Sequence, residues 1–211
     1  MHFALCQLTM KKLKYIAPIL ILIAVACLGL QHAKADSVDY TLVTSNSPGT
    51  LGTGPFGTVT VSLTGNTATI TFTAAAGYLF VDGQAVDVNV NATSWTVANI
   101  TSNGDPVSDT GAHNVDGFGS FNQTLSQANS SNGASLVTFT LTNTSGTWAS
   151  ASQVLIANVD GWLVGAHLQI ANGFTGYAVG NTTTLPDGGT TVMLLGAALG
   201  ALGMARRFIR N

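Results

Sequence analysis

Small polar and apolar residues alternate along much of the middle of the chain, most regularly from Thr58 to Thr73. A period of two is typical of strands that bury one face. A two-residue turn at Gly65-Asn66 would place the apolar residues of both halves on one face and the Thr and Ser residues on the other, so we predict a β-hairpin here. The expected opposite pairs are Leu63 with Ala68, Val61 with Ile70 and Val59 with Phe72.

The same alternation recurs in shorter segments, which are separated by turns rich in Gly, Asn and Asp. About nine or ten such strands predict an all-β fold, an antiparallel β-sandwich of jelly-roll type. The stretch from Trp148 to Leu155 is expected to form a helical turn on this sandwich. The further strand candidates begin near Tyr40, Tyr78, Val86, Trp95, Leu136, Gln153, Ala166 and Thr175.

The first 35 residues have the layout of a secretory signal peptide. From Met10, which is a natural start, three lysines precede a long apolar run, and the small residues Ala33 and Ala35 then precede Asp36. We therefore expect an N-terminal signal helix within 1–35, which signal peptidase removes by cutting after Ala35. The alternative is a retained membrane anchor.

Basic residues are confined to the two ends of the chain. The segment 36–205 contains no Lys or Arg, whereas all nine acidic residues, each an aspartate, lie within it. The net charge of -2 therefore conceals an acidic middle, which would repel phosphate and argues against nucleic-acid binding. The two cysteines, Cys6 and Cys27, lie in the signal peptide, so the mature protein is expected to hold no disulfide and no thiolate metal site.

The C-terminal segment 184–211 combines a turn motif, an apolar stretch and a basic cluster. As a helix, the apolar stretch would be about 24 Å long, a minimal transmembrane span if the arginines snorkel. Arginines favour the cytoplasmic side, so this helix and the signal peptide would both place the intervening domain, 36–183, outside the inner membrane. The three parts are the motif Leu185, Pro186, Asp187, Gly188 and Gly189, the transmembrane segment 190–205, and the cytoplasmic cluster Arg206, Arg207 and Arg210.

This tripartite tail resembles the PEP-CTERM class of bacterial sorting signals, most closely its variant with a Val-Pro-Asp-Ser-Gly box. Leu185 and Gly188 stand where that box has Val and Ser. The resemblance implies that the protein is a substrate of exosortase, a membrane-embedded cysteine transpeptidase. It also implies a β-rich surface domain, in which 114–122 and 165–180 look like elements of other exported proteins with this tail. The alternative is a plain C-terminal anchor that is never cut.

An Asn-Val-Asp-Gly-aromatic sequence occurs twice in the middle region. One interpretation brings both copies together with Asp105 and Asp109, so that their oxygen atoms bind Ca²⁺. The other is that Asp-Gly is simply favourable turn chemistry, and the sequence favours this one because no calcium-loop spacing is present. We expect no cofactor, with Ca²⁺ as the one candidate. The possible ligand-loop residues are Asn114, Asp116, Asn158, Asp160, Trp162 and His167, with His113 beside the first loop.

Few residues of the mature region suit catalysis. Glutamate is absent and no Gly-x-Ser-x-Gly sequence occurs, so we expect no catalytic residue; the alternative pairs His113 or His167 with a serine. Aromatic side chains suit the faces of sugar rings, although in a sandwich they more often belong to the core. The candidates for sugar stacking are Tyr78, Trp95, Trp148, Trp162 and Tyr177.

Together these features predict an exported, non-enzymatic protein of the cell envelope or extracellular matrix, anchored in the inner membrane through its C-terminal helix before processing. A surface module that binds carbohydrate or exopolysaccharide is the alternative. A calcium-stabilised adhesin is a second alternative.

Overall fold

The computed structural model describes residues 36–128 and 132–184. Within these ranges the chain forms two antiparallel sheets, with a short α-helix, α1 (Pro48–Leu51), and a 3-10 helix (Ala151–Gln153) between strands. Sheet A consists, in spatial order, of β13 (Thr182–Thr184), β1 (Asp36–Leu42), β3 (Gly57–Thr64), β4 (Thr67–Ala74), β10 (Leu136–Asn143) and β7 (Trp95–Ser102). Sheet B consists of β2 (Thr44–Ser45), β12 (Thr175–Gly180), β11 (Val164–Ile170), β6 (Gly83–Val88), β9 (Gly119–Gln127) and β8 (Val107–Val115), with β5 (Tyr78–Phe80) paired to β11.

The β3–β4 hairpin has the predicted register. Thr64 and Thr67 flank a two-residue turn in which Gly65 has a φ of +60°. Glycine adopts this conformation without a steric penalty, which explains its place at the first turn position. The prediction is therefore confirmed. The observed opposite pairs are Val59 with Phe72, Val61 with Ile70 and Leu63 with Ala68, all six of them buried.

The inner faces of the two sheets meet in one hydrophobic core. Phe72 of sheet A contacts Phe80 of sheet B edge to face, with ring centroids 5.9 Å apart, and stacks on Phe139 of its own sheet at 6.4 Å. Each fully buried side chain of this size contributes roughly 1.5 to 3 kcal/mol through its removal from water. Two sheets joined face to face by such a core form a β-sandwich.

The mostly β content and the antiparallel sheets are as predicted. The jelly-roll connectivity stays a prediction, because the sheets contain the hairpins β3–β4, β8–β9 and β11–β12 and no complete jelly-roll order is evident. The signal helix and the C-terminal transmembrane helix lie outside the described residues. In the part of the chain that is described, no helix has the length and apolar character needed to cross a membrane.

The alternation pattern misses β8 and β9. In β9 the buried positions include Gln123, Thr124 and Gln127, so polarity does not mark which side chains are exposed. The pattern also wrongly predicts a strand from Gln153. Gln153 instead ends the expected helical turn, the 3-10 helix, whose first N–H, that of Ala151, donates to Asp36 Oδ2 at 2.6 Å.

Both ends of the described domain lie at the same end of sheet A. β13 runs antiparallel to β1, with Asp39 opposite Thr184. The chain therefore enters the domain at Asp36 and leaves it after Thr184 in opposite directions along neighbouring strands, which lie about 5 Å apart. The entry and exit points of the domain are adjacent.

Candidate functional site

A second, smaller hydrophobic cluster lies on the outer face of sheet B. In β11, Val164 and Ala166 belong to the core between the sheets. Since side chains alternate along a strand, Gly165 and His167 face outward. The buried members of the outer cluster are Val115, Phe118, Phe121 and Val179, and the half-buried Trp162 and Tyr177 pack against them.

The structure brings the two Asn-Val-Asp-Gly loops together at this cluster. Asn158 Nδ2 donates to the carbonyl oxygen of Phe118 at 2.9 Å. The rings of Phe118 and Trp162 meet edge to face, with centroids 5.7 Å apart. A Cβ on Gly119 would overlap the carboxylate of Asp160. The absence of a side chain at Gly119 is therefore what allows the second loop to approach the first.

Turn chemistry shapes both loops. Asn158 Oδ1 accepts hydrogen bonds from the backbone N–H groups of Asp160 at 3.1 Å and Trp162 at 3.0 Å. Gly117 and Gly161 adopt φ values of +80° and +91°, which glycine tolerates best. The Asn and Gly residues of the second loop thus have structural roles that need no bound metal.

The other proposed calcium ligands have different partners. Asp109 Oδ1 accepts from Gln123 Nε2 at 2.8 Å and from the N–H of Gly111 at 2.9 Å. Asp105 Oδ2 accepts from the N–H of Asn132 at 3.0 Å. Across residues 36–128 and 132–184, no three His, Cys, Asp or Glu side chains are grouped so that they could hold a metal ion. Calcium binding stays a prediction.

Asn46 connects the first loop to strand β12. Its Nδ2 donates to the backbone carbonyl oxygen of Asp116 at 3.1 Å, and its Oδ1 accepts from the N–H of Tyr177 at 2.9 Å. Asn46 is separated from these partners by 70 and 131 residues in the chain, so no local sequence signal points to it. It places the Asp116 loop beside Tyr177.

His167 and Tyr177 are opposite one another on β11 and β12. Their rings are stacked, with centroids 4.4 Å apart and planes inclined by 20°. His167 Nδ1 also lies 3.3 Å from the carbonyl oxygen of Asp82. We call Trp162, Tyr177 and His167 the aromatic patch, because all three are half-exposed on the outer side of sheet B.

The candidates for sugar stacking differ in whether the polar group of the aromatic side chain, the indole N–H or the phenol O–H, has a hydrogen-bond partner. Trp148 Nε1 donates to the carbonyl oxygen of Asn91 at 2.7 Å, Trp95 Nε1 to Gln123 Oε1 at 2.9 Å, and Tyr78 OH to the carbonyl oxygen of Leu51 at 2.6 Å. In contrast, Trp162 Nε1 and Tyr177 OH have no hydrogen-bond partner among the described residues. These two groups are available to a ligand.

Asp87 lies beneath the patch on the same face of sheet B, opposite Gly165 and Thr124. Its side chain is 1% exposed. Oδ1 accepts from Thr124 Oγ1 at 2.5 Å, whereas Oδ2 is buried without a partner. Burial raises the pKa of this carboxyl to about 7, against the opposing effect of the Thr124 hydrogen bond.

Burial and the charges of three aspartates raise the pKa of the Tyr177 phenol. Burial is the main cause that raises the pKa of the Tyr177 phenol. The negative charges of Asp87, Asp116 and Asp82 raise this pKa further, because they oppose formation of a phenolate. The carboxylates are therefore close enough to Tyr177 for their fields to act on its hydroxyl group.

The C-terminal region resembles a known sorting signal. The family model of the VPDSG-CTERM motif matches residues 186–208. The chain carries a VPDSG-CTERM sorting tail. The resemblance to PEP-CTERM sorting signals is thereby confirmed. No curated protein and no solved structure matches the chain.

The VPDSG-CTERM tail follows the sandwich almost directly. β13 ends at Thr184 and the match begins at Pro186, so only Leu185 lies between them. The match includes Asp187, Gly188, Gly189, Arg206 and Arg207, whereas Leu185 and Arg210 fall outside it. The tail itself lies beyond the described residues, and the roles of its individual residues stay predictions.

Proposed function

We propose that the sandwich is a non-enzymatic surface domain, which the VPDSG-CTERM tail delivers to the cell envelope and an exosortase-type transpeptidase processes. The match at 186–208 carries this proposal. Such a tail indicates an exported protein that is sorted by an exosortase. In the described residues, the sandwich ends with β13 at Thr184, and the match begins at Pro186.

The positions of the chain ends support this proposal. Because Asp39 is opposite Thr184, the expected signal-peptide junction before Asp36 and the start of the tail lie at the same end of sheet A. A domain tethered by both segments to one membrane needs its two ends on one side. The sandwich meets this requirement without rearrangement, so the domain can fold while the tail is still attached.

The chemistry of the aromatic patch supports a role without catalysis. A hydrolase of the serine type needs a histidine within hydrogen-bond reach of a hydroxyl nucleophile. His167 Nδ1 instead faces a backbone carbonyl oxygen, that of Asp82. Asp87, whose pKa is the most perturbed among the carboxyl groups of 36–128 and 132–184, is buried beneath the patch. These contacts fit a stable platform rather than a reacting pair.

Intact-mass measurement of the protein recovered from fractionated cells tests the sorting proposal. The expected product begins at Asp36 and lacks the segment beyond about Gly189. A Pro186→Ala and Asp187→Ala double variant should keep its tail, whereas Gly188→Ser, which restores the serine of the usual box, should be processed at least as well as the parent. Full-length wild-type protein in the cytosol would contradict the proposal. An envelope-bound product with an uncut tail would favour the plain anchor.

The second candidate function is carbohydrate binding at the aromatic patch. The specific observation that favours it is that Trp162 Nε1 and Tyr177 OH are unpaired in the described part of the chain and half-exposed together on the outer cluster. Saccharides bind to such sites by stacking on aromatic faces and by hydrogen bonds to their polar ends.

Affinity electrophoresis in gels that contain isolated exopolysaccharide tests this second function. Retardation should be lost in Trp162→Ala and Tyr177→Ala. The matched control is Phe174→Ala, since Phe174 is an exposed aromatic residue in the β11–β12 turn and lies outside the patch. Equal retardation of all four proteins, the parent included, would place any binding elsewhere.

A further inference from the structure

Negative charge reaches the aromatic patch from three separate elements. Asp116 belongs to the β8–β9 loop and is held beside Tyr177 by Asn46. Asp82 lies in the β5–β6 turn beside His167, and the charge of its carboxylate acts on Tyr177. Asp87 belongs to β6 and faces outward with Gly165. The patch is therefore an aromatic surface with an acidic border and an acidic floor.

The carboxyl group of Asp87 adds a buried acidic group beneath the patch. Oδ2 of this 1% exposed side chain has no hydrogen-bond partner, and an uncompensated buried carboxyl group is costly. The segment 36–205 contains no Lys or Arg that could pair with this carboxyl group. Below about pH 7 this group is protonated, because burial raises its pKa to about 7, and a cation that binds from outside would favour its ionised form.

We propose that the aromatic patch binds saccharides that carry protonated amino groups, in preference to neutral or acidic saccharides. The inference rests on the second candidate function, carbohydrate binding at this site, and specifies the ligand class. The face of the sugar ring would stack on Trp162 or Tyr177, while the ammonium group occupies the acidic border near Asp116 and Asp82.

Two interactions make the ammonium group selective. It donates charge-assisted hydrogen bonds to carboxylates, which are about twice as strong as neutral hydrogen bonds. It is also attracted to the electron-rich face of Tyr177 or Trp162. N-acetylation of the same sugar removes the charge and both of these interactions, but it leaves the ring face and the hydroxyl groups unchanged. An acidic sugar would in addition be repelled by the aspartates.

Calorimetric titration of the mature protein, which contains the domain 36–184, tests the inference. Two oligosaccharides of equal length are compared. The probes are a β-1,4-linked glucosamine tetramer and its fully N-acetylated counterpart, at about pH 6, where an amine of this type is mostly protonated. The glucosamine tetramer should bind about tenfold more tightly at low salt, and this advantage should shrink as salt screens the charges.

Three variants locate the effect. Asp116→Asn should reduce the preference for the amine while it retains binding of the N-acetylated probe. Tyr177→Phe keeps the ring and its packing. It should therefore weaken the binding of both probes by a similar, small factor, through loss of the hydroxyl group. Asp39→Asn removes one charge from sheet A and should leave the affinity for both probes unchanged. Thermal melting establishes that each variant is folded.

The outcomes separate this inference from the function on which it rests. Preference for the amine that is lost in Asp116→Asn supports both. Equal affinity for the two probes overturns the ammonium inference and leaves carbohydrate binding standing. Binding of neither probe overturns the inference and counts against a saccharide site at the patch. A preference that Asp116→Asn leaves unchanged overturns the placement of the amine.

Discussion

The amide nitrogen of Asn158 donates to the carbonyl oxygen of Phe118, which precedes it by 40 residues, at a distance of 2.9 Å. Together with the edge-to-face contact of Phe118 and Trp162, this contact joins the two loops that share the same sequence motif. The Oδ1 atom of the same amide shapes the second loop through the N–H groups of Asp160 and Trp162. Asn158 therefore determines both the shape of its own loop and its position against the first.

Asn158→Ala should lower the free energy of unfolding by about 1 to 3 kcal/mol, because it leaves partly buried backbone groups without partners. It should also change the fluorescence of Trp162, whose ring packs on Phe118. Denaturant unfolding, followed by fluorescence, measures both effects. The control is Asn172→Ala in the β11–β12 turn, where the side chain makes only a local contact at 3.4 Å. Equal effects in the two variants would contradict the linking role of Asn158.

Asp87→Asn should change how stability depends on pH. The carboxyl group has a pKa of about 7 in the folded protein, raised by burial from 3.8. Between these values the folded protein binds more protons than the unfolded chain, so the free energy of unfolding falls as pH rises, with a limiting slope of about 1.4 kcal/mol per pH unit. The stabilisation is complete at low pH and is lost above about pH 7.

Asparagine cannot ionise and keeps an oxygen for the hydroxyl of Thr124. Melting temperatures measured from pH 4 to pH 8 should therefore fall less steeply for Asp87→Asn than for the parent, and the variant should be the more stable protein at pH 8. Asp160→Asn, at an exposed position, should keep the pH profile of the parent. A parent profile that rises between pH 4 and pH 7 through this group would show that Asp87 is stabilised as an anion.

Phe72→Ala should remove about 3 to 5 kcal/mol of stability, because it leaves a cavity between the two sheets. The neighbouring Thr71→Ala, on the opposite face of β4, should cost less than about 1 kcal/mol. Urea unfolding of both variants measures the difference. Similar losses would mean that the register of β4 is shifted by one residue, since such a shift exchanges the two faces.

Removal of divalent metal should leave the melting temperature unchanged. The second loop is held by hydrogen bonds from Asn158, and Asp105 and Asp109 accept hydrogen bonds from other residues. Calorimetry with excess EDTA, followed by addition of calcium, checks this. A melting temperature that falls with EDTA and recovers with calcium would support the calcium-stabilised adhesin instead.

Part of the fold could be predicted from local sequence patterns. The β3–β4 hairpin follows from alternation around Gly65-Asn66, because both strands and their turn lie within a few residues of one another. Strand β9 was not predicted, because its polar residues Gln123 and Thr124 are buried. Their polar atoms are paired with groups in other strands, such as Asp109 and Asp87, and these partners cannot be recognised from the sequence nearby.

The same distinction holds for the site. The repeated motif identified Asp116, Asn158 and Trp162, but Asn46 and Asp87 carry no motif. Asn46 acquires its role only when β2 pairs with β12. Asp87 acquires its raised pKa only when sheet B and the loops cover it. Burial and partners of this kind are properties of the assembled sandwich.

The sequence by itself determined the alternation that makes strands, the confinement of positive charge to the chain ends, and the linear VPDSG-CTERM tail. Each of these is a property of neighbouring residues. Only the tertiary structure decided that Trp148 bonds to Asn91 within the domain while Trp162 keeps a free indole N–H in the described part of the chain. Exposure and hydrogen bonding depend on contacts between residues distant in sequence, and folding alone brings those residues together.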